Sequence, residues 1–159
     1  NNFKFHLQNG TWLLLQGGPG TGKGHLCSAI IHVIAEQKFT SLYIKMIRLL
    51  RDVKDSWHPG SKISETEIIT KLENIDLLVV DEVGVQFGSD TERQIMYDIF
   101  DGRYELMKPL ILTSNEPFSK IESILGKRII DRLFEGESKI LKFDWESYRR
   151  TRVQIKKGE

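Results

Sequence analysis

A glycine-rich loop between two regular elements constrains the fold of this chain more than any other feature. The loop, GGPGTGK from Gly17 to Lys23, follows an apolar run that predicts a buried strand and precedes a stretch that predicts a helix. Glycines let the backbone curl until several N–H groups face one point, and a helix N-terminus adds partial positive charge there. We therefore predict a phosphate-binding loop whose contacts with a nucleotide come from Gly18, Pro19, Gly20, Thr21, Gly22, Lys23, Gly24 and His25.

Two positions in this loop leave alternatives open. Gly24 stands where such loops usually carry Ser or Thr, whose hydroxyl ligates Mg²⁺. A water could fill that coordination position, since Mg²⁺ usually keeps several waters. We therefore expect ATP or ADP to bind with Mg²⁺, and hydrolysis to be slow or dependent on a partner. For His25 a place on the helix surface, away from the nucleotide, is an equal alternative.

Strand and helix signals alternate along the chain, which predicts an α/β fold with a parallel sheet between two helical layers. We expect one domain over residues 1–159, and little or no C-terminal lid because about one helix worth of chain follows the last strand. On the first helix, Leu26, Ile30, Val33 and Ile34 are expected to form the apolar face. The predicted strands are residues 11–16, 41–45, 76–81, 109–114 and 139–143, and the predicted helices are residues 22–37, 46–54, 65–74, 91–106, 117–125 and 127–134.

Composition excludes several classes of protein. The formal net charge of +1 argues against a generally basic nucleic-acid binder, so any such surface must come from local clustering. No apolar run approaches the ~20 residues that span a bilayer. Cys27 is the single cysteine, which excludes an intrachain disulfide and fits a cytoplasmic location, and the four histidines show no metal-ligand spacing. The chain begins without Met, so we expect a fragment of a longer protein.

An acidic pair and an asparagine complete a predicted hydrolytic site. Asp81 and Glu82 end the apolar run LLVV, and in proteins with such a phosphate loop the first acid would hold Mg²⁺ while the second acts as general base. Asn115 follows the next strand, where it could orient the attacking water; the alternative is an asparagine in an ordinary turn. With Lys23 on the β- and γ-phosphates, these residues predict an ATPase.

These motifs resemble AAA+ ATPases of the P-loop NTPase class, and more narrowly the DnaC/DnaI family of bacterial helicase loaders. The resemblance covers most of the chain, and its more specific parts are GKRIIDRL and FDWESYRRTRV. It implies a DNA replication factor that binds ATP and single-stranded DNA, assembles itself into an ATP-bridged spiral and delivers a hexameric replicative helicase. It also implies an N-terminal helicase-binding domain outside this sequence. The matching stretches are residues 17–26, 77–86, 112–115, 126–133 and 143–153.

The resemblance assigns roles to several basic residues. It implies that Arg132 is an arginine finger for the ATP of a neighbouring subunit and that Arg149 contacts the γ-phosphate of its own subunit. The alternative for Arg132 is an ion pair with Asp131 or Glu135. It further implies that Arg48, Arg51 and Lys54 bind single-stranded DNA, whereas the alternative is an amphipathic helix with a solvated polar face.

Three rival functions remain. The IstB-type transposition helpers share nearly the same ATPase core. A nucleotide-gated switch with negligible hydrolysis is supported by Gly24. A small-molecule kinase is disfavoured, because Asp81, Glu82 and Asn115 form a set suited to activating water and no acceptor-binding lid is apparent.

Overall fold

The computed structural model of the chain describes residues 3–85 and 88–149, which form five strands and seven helices. The strands are β1 (Trp12–Gly17), β2 (Ser41–Lys45), β3 (Leu77–Asp81), β4 (Leu110–Ser114) and β5 (Lys139–Phe143). The helices are α1 (Phe3–Gln8), α2 (Lys23–Glu36), α3 (Met46–Asp55), α4 (Glu65–Asn74), α5 (Asp90–Glu105), α6 (Phe118–Leu125) and α7 (Lys127–Arg132). Every strand and helix predicted from the sequence is present, with bounds that differ by at most two residues.

All five strands are parallel and form one sheet in the order β2-β3-β4-β1-β5. Gln16 pairs with Ser114, and Lys45 pairs with Asp81, so the carboxyl ends of β1, β4, β2 and β3 meet at one edge. In open parallel sheets ligands bind beyond this edge. The sheet order therefore brings the phosphate loop after β1 and the acidic pair after β3 to the same side of the molecule.

Helices cover both faces of the sheet, which confirms the predicted three-layer architecture. Leu78 and Val80 pack in a large core with α3, α4, α5, α6 and α7. Leu77 and Val79 point to the other face and pack against α2, together with Phe3 from α1. This alternation of side chains along β3 explains why its sequence is apolar at every position from 77 to 80.

Helices α4 and α5 each begin at a capping box, in which a serine is followed three residues later by a glutamate. Ser64 Oγ accepts from the Glu67 amide while the Glu67 carboxylate accepts from the Ser64 amide, and Ser89 and Glu92 form the same pair of bonds. Hydrogen bonds from the amide and hydroxyl of Ser64 lower the pKa of Glu67. Each box satisfies N–H groups that have no partner inside the helix, which fixes the first residue of α4 and of α5.

The prediction of the apolar face is partly wrong for α2, which the sequence predicted as the helix over residues 22–37. Leu26 and Val33 are 37% and 38% exposed, whereas Cys27 and Ile34 are buried. The buried face of α2 is rotated relative to the predicted one. The cause is that α2 starts at Lys23, whose buried side chain must reach back into the phosphate loop. The loop, and not the hydrophobic pattern alone, sets the rotation of this helix.

A buried arginine ties the ends of two elements together at the edge opposite the phosphate loop. Arg103 is 0% exposed, and its guanidinium donates to the carbonyl oxygens of Leu72, Glu73, Ile75 and Pro109. Burial lowers the pKa of Arg103 to about 9, against the opposing influence of Asp76 and Glu73. The arginine thereby satisfies carbonyls at the end of α4 and just before β4.

The remaining features of the fold concern membrane-spanning helices and the residues after β5. No helix within residues 3–85 and 88–149 is long and apolar enough to cross a bilayer. After β5 the structure describes residues 144–149, so the basic residues Arg150, Arg152, Lys156 and Lys157 of the sequence lie outside the described part.

Candidate nucleotide-binding site

The glycine-rich loop curls between β1 and α2 as predicted. Gly22 is the N-cap of α2 and has φ 99°, a left-handed conformation that side chains disfavour. At Gly20, where φ is 80°, a Cβ would come within 2.1 Å of Ser147 Oγ. Glycine is therefore required at position 22 by the backbone turn, and at position 20 by the turn and by the segment after β5.

The side chain of Lys23 folds back over its own loop. Its ammonium donates to Gly17 O at 2.6 Å and Gly18 O at 2.8 Å, and lies 3.4 Å from Thr21 Oγ1. Burial lowers the pKa of Lys23, while the nearby Asp81 carboxylate opposes that shift. An ammonium that is nearly buried at the loop favours an anionic ligand, because phosphate oxygens can replace the loop carbonyls as acceptors.

The acidic pair leaves β3 toward the same loop. Asp81 Oδ1 accepts a short hydrogen bond from Thr113 Oγ1 on β4, and Thr113 Oγ1 in turn accepts from the Glu82 amide at 3.2 Å. Glu82 has φ 59°, an uncommon conformation for a residue with a side chain. Its carboxylate forms an ion pair of 2.9 Å with the ammonium of Lys45 at the end of β2. That hydrogen bond raises the pKa of Lys45.

One cleft of about 1100 Å³ contains most of the residues predicted for the site. Asn115 is exposed at the carboxyl end of β4 and lines it. The cleft is larger than the 300–1,000 Å³ typical of ligand pockets, so a nucleotide fits. Its lining comprises Pro19, Gly20, Thr21, Gly22, Lys23, Gly24, His25, Ser28, Tyr43, Lys45, Asp81, Glu82, Asn115, Trp145, Tyr148 and Arg149.

A short segment after β5 closes over the loop. The Trp145 indole N–H donates to Thr21 O at 3.0 Å, and the Tyr148 amide donates to Gly20 O at 3.1 Å. The Trp145 ring also lies 4.8 Å from the ring of Phe143. Arg149 is exposed and lines the cleft, where a contact with a bound nucleotide is sterically available.

Five cleft residues were not among the predicted site residues: Ser28, Tyr43, Lys45, Trp145 and Tyr148. Tyr43 and Lys45 belong to β2, whose place beside β3 is a consequence of strand order. Trp145 stands in FDWES, where an aromatic residue two positions after a strand was the one available signal.

The donor set at the carboxyl end of β3 fits a magnesium ion that arrives with a nucleotide. Among the described residues no group of three or more His, Cys, Asp or Glu side chains could hold a metal ion. Magnesium is usually held by one or two carboxylates together with phosphates and waters, and Asp81 offers such a carboxylate to the cleft.

Arg132 lies outside this cleft, on the face where α7 meets α5. Its guanidinium bonds to Asp101, stacks 4.0 Å from the ring centroid of Tyr104, and its side chain is 10% exposed. Arg128 is exposed on the same helix, with its guanidinium carbon 5.4 Å from the Tyr97 ring centroid. The ion pair of Arg132 is thus formed with Asp101, and not with Asp131 or Glu135.

The basic residues of α3 are not equivalent. Arg48 pairs with Asp52 at 2.7 Å, and Lys54 pairs with Glu92 at 2.8 Å, where the Glu92 side chain is 8% exposed. Arg51 is exposed on the same helix. Among the apolar residues of α3, Leu50 and Val53 are buried but Ile47 is 39% exposed.

Comparison with known proteins gives the family. The sequence profile described as "IstB-like ATP binding protein" matches residues 4–155. The replicative helicase loader DnaC of Buchnera aphidicola subsp. Baizongia pistaciae is 34% identical over 137 residues, which cover 86% of this chain and 56% of that protein. DnaC of Escherichia coli (strain K12) is 35% identical over 136 residues, covering 86% and 55%. The chain therefore spans about half the length of the curated relatives it matches.

Solved structures share the fold. A crystal structure of the DnaC helicase loader superposes with a TM-score of 0.73 at 24% identity, over 89% of this chain and 85% of that one. AMPPCP-bound DnaA from Aquifex aeolicus superposes with a TM-score of 0.75 at 21% identity, over 98% of this chain and 48% of that one. With the phosphate loop and acidic pair facing one cleft, and with the matched profile, this chain is an AAA+ ATP-binding domain that belongs to the IstB-like family, in which the DnaC loaders are its relatives.

Proposed function

We propose that this domain is the ATPase of a DNA replication helicase loader, and that it hydrolyses ATP slowly until a partner stimulates it. The observation that carries the proposal is the convergence of Lys23, Asp81 and Glu82 on one cleft. Relatives that match 86% of the chain are named replicative helicase loaders, which supports the biological assignment.

Each residue of the cleft has a definite task in this proposal. The loop amides and Lys23 hold the β- and γ-phosphates, and Glu82 accepts a proton from the attacking water that Asn115 orients. Asp81 would hold the magnesium ion of a bound nucleotide, and that ion would supply positive charge beside the phosphates. Arg149 adds a contact with the γ-phosphate from above the loop. The ion pair between Lys45 and Glu82 is one reason to expect slow turnover, because it holds the proposed general base.

A neighbouring subunit would complete the site. Arg132 does not line the cleft of its own chain, as expected for a residue that acts on the ATP of the next subunit. To do so it must leave Asp101 and the Tyr104 ring, so we propose that assembly into an ATP-bridged spiral releases it. Such an arginine can be worth about 10³–10⁵ in rate, which explains why the isolated domain would be slow.

We propose that single-stranded DNA binds along α3. Arg51 and Arg48 are both exposed there, and Arg48 pairs with Asp52 in an ion pair that phosphate could replace. Lys54 is committed to the poorly exposed Glu92, so we expect it to contribute less than Arg51. The partner on the protein side is a hexameric replicative helicase, contacted through a region that the DnaC relatives have outside the matched half.

A transposition helper is the second candidate, because the matching profile carries the name IstB-like. Both candidate functions use the same nucleotide cleft, so the two are distinguished by the protein partner that this protein binds. Pull-down of a purified replicative helicase hexamer by the full-length protein in the presence of ATP supports the loader. Capture of a transposase and no helicase would favour the helper.

The first experiment measures binding of labelled single-stranded DNA with ATP, with ADP and without nucleotide. We expect ATP-dependent binding that Lys23→Ala abolishes, because the variant loses the ammonium that the phosphates need. Arg51→Ala should weaken DNA binding at every sequence and reduce the slope of log K against log salt by about 1.

Lys4→Ala is the matched control, since it also removes one exposed cation but lies on α1, the helix that packs with α2 on the other face of the sheet. It should leave DNA binding and its salt slope unchanged. If Arg51→Ala and Lys4→Ala behave alike, α3 is not the DNA surface. If nucleotide binds and DNA does not, in any nucleotide state, the nucleotide-gated switch replaces the loader as the better function.

A further inference from the structure

The hydroxyl of Tyr43 stands beside Gly24, the position at which such loops usually carry a hydroxyl. A Cβ on Gly24 would lie 3.3 Å from Tyr43 Oη, which is tighter than most real contacts of a Cβ. Gly24 lies in the first turn of α2 and its φ is not positive, so the backbone does not demand glycine. What does restrict the residue at position 24 is the oxygen of Tyr43.

Tyr43 reaches this place from β2. It pairs with Val79 on β3, two residues before Asp81, so Tyr43 and Asp81 project from the same face of the sheet, toward α2. Both residues line the same cleft. Burial first, and a hydrogen bond to the Asp81 carboxylate second, raise the pKa of Tyr43.

Asp81 thus accepts a hydrogen bond from the Thr113 hydroxyl on β4, and the Tyr43 side chain on β2 lies on the same face of the sheet. Hydrogen bonds from surrounding residues orient a metal-ligating carboxylate and commonly matter ten- to a hundredfold for metal affinity. In the usual arrangement a hydroxyl on the loop itself would lie at this end of the helix. Here the Tyr43 oxygen from the neighbouring strand lies 3.3 Å from the place that a Cβ at position 24 would occupy.

We propose that the Tyr43 hydroxyl replaces the hydroxyl missing at Gly24, as a positioning residue that orients Asp81 for the magnesium ion of a bound nucleotide. The inference rests on the proposed ATP-binding function and adds to it a residue of β2. It makes Gly24 and Tyr43 a matched pair: a small residue on the loop leaves room for a hydroxyl from the sheet.

A purely structural role for Tyr43 predicts something different. The ring is partly buried against the core beneath α2, and phenylalanine would preserve that packing. Removing the hydroxyl alone should then change nothing about the nucleotide. The two readings therefore diverge in how nucleotide affinity responds to magnesium.

The test compares the affinity of the wild type and Tyr43→Phe for a fluorescent ATP analogue, with Mg²⁺ and with EDTA. We expect equal affinities in EDTA, and a gain on adding Mg²⁺ that is on the order of tenfold smaller in Tyr43→Phe. Tyr97→Phe is the control, because Tyr97 packs in the other core, away from the cleft. It should keep the full magnesium gain, and thermal melting should show all three proteins folded.

A residue exchange gives the second arm. Gly24→Ser alone would place a hydroxyl against Tyr43 Oη and should reduce the magnesium gain, whereas Gly24→Ser combined with Tyr43→Phe should restore it. The inference is overturned if Tyr43→Phe keeps the wild-type gain, if the double variant is no better than Tyr43→Phe, or if the wild type shows no gain. Failure of the wild type to bind the analogue at all, with or without Mg²⁺, would instead overturn the proposed ATP-binding function.

Discussion

Replacing Lys54 by methionine should destabilise this domain, even though the sequence pattern marks Lys54 as a DNA contact. Its ammonium lies 2.8 Å from Glu92 Oε1, on a carboxylate that is only 8% exposed. The other oxygen of Glu92 accepts from the amides of Gly88 at 2.8 Å and Ser89 at 3.3 Å, which caps α5. Burial opposes the charged form of Glu92, but these three hydrogen bonds outweigh it and lower its pKa.

The size of the effect follows from the exposure of the two partners. A hydrogen bond to a charged group contributes about 1.5–3 kcal/mol, and removing one partner leaves the buried charge poorly solvated. The Lys54 side chain is 39% exposed, so water screens the pair and can reach Glu92 in the variant. We therefore expect Lys54→Met to lower the free energy of unfolding by about 1–2 kcal/mol, and the melting temperature by roughly 2–8 °C.

The pH dependence has a definite sign. Because the folded protein lowers the pKa of Glu92, the carboxylate contributes stability above the unfolded pKa of about 4.3 and loses it as pH falls through the folded value. The difference in stability between wild type and Lys54→Met should consequently shrink below about pH 4, where Glu92 takes up a proton.

Urea denaturation at about pH 7 and at about pH 3 measures both effects. Arg51→Met is the control on the same helix, and as an exposed substitution it should change stability by no more than about 0.5 kcal/mol. A double-mutant cycle with Glu92→Gln isolates the coupling between Lys54 and Glu92. Equal midpoints for Lys54→Met and wild type, or zero coupling in the cycle, would refute the argument and return Lys54 to the proposed DNA surface.

Three further substitutions test other parts of the structure. Arg103→Met should cost at least about 3 kcal/mol of unfolding free energy in urea denaturation, because it leaves buried carbonyls without a donor; an unchanged midpoint would contradict this. Trp145→Phe removes the hydrogen bond to Thr21 O and should weaken binding of a fluorescent ATP analogue roughly two- to tenfold, so unaltered affinity would speak against a clamp over the loop. Lys45→Ala removes the ion pair with Glu82 and should raise basal ATP turnover by up to about fivefold, which is the largest rate change that the free energy of one exposed ion pair can produce. Lower turnover would instead mean that Lys45 positions Glu82 as the base.

Local sequence patterns predicted the elements well, because each element carries its own signal. The bounds of β2, α4 and β5 match the prediction residue for residue, and the capping box at Ser64 shows why α4 begins where it does. The phosphate loop and Asp81 were predicted together because a motif fixes both the residues and the elements on either side. The rotation of α2 was missed, since the loop pulls Lys23 inward at the expense of Leu26.

The missed residues share a physical cause. Tyr43 and Lys45 line the cleft beside Asp81 and Glu82 only because β2 lies next to β3, a pairing between positions that are far apart in the chain. The choice of Asp101 and Tyr104 as partners of Arg132 depends in the same way on α5 packing against α7. Periodicity shows that a helix has a polar face, but it does not show which residue across the interface meets each charge.

The position of β1 in the sheet also bears on how the protein is made. A ribosome synthesises the phosphate loop early, yet β1 lies between β4 and β5, and the indole that bonds to Thr21 O comes 124 residues later. Contacts so distant in sequence form late in folding, after the intervening elements have been ordered. A nascent chain that stops before β5 would thus carry the complete glycine motif and still lack both an edge of the sheet and the cover of the loop. A gain in nucleotide affinity would therefore signal that the domain has finished folding.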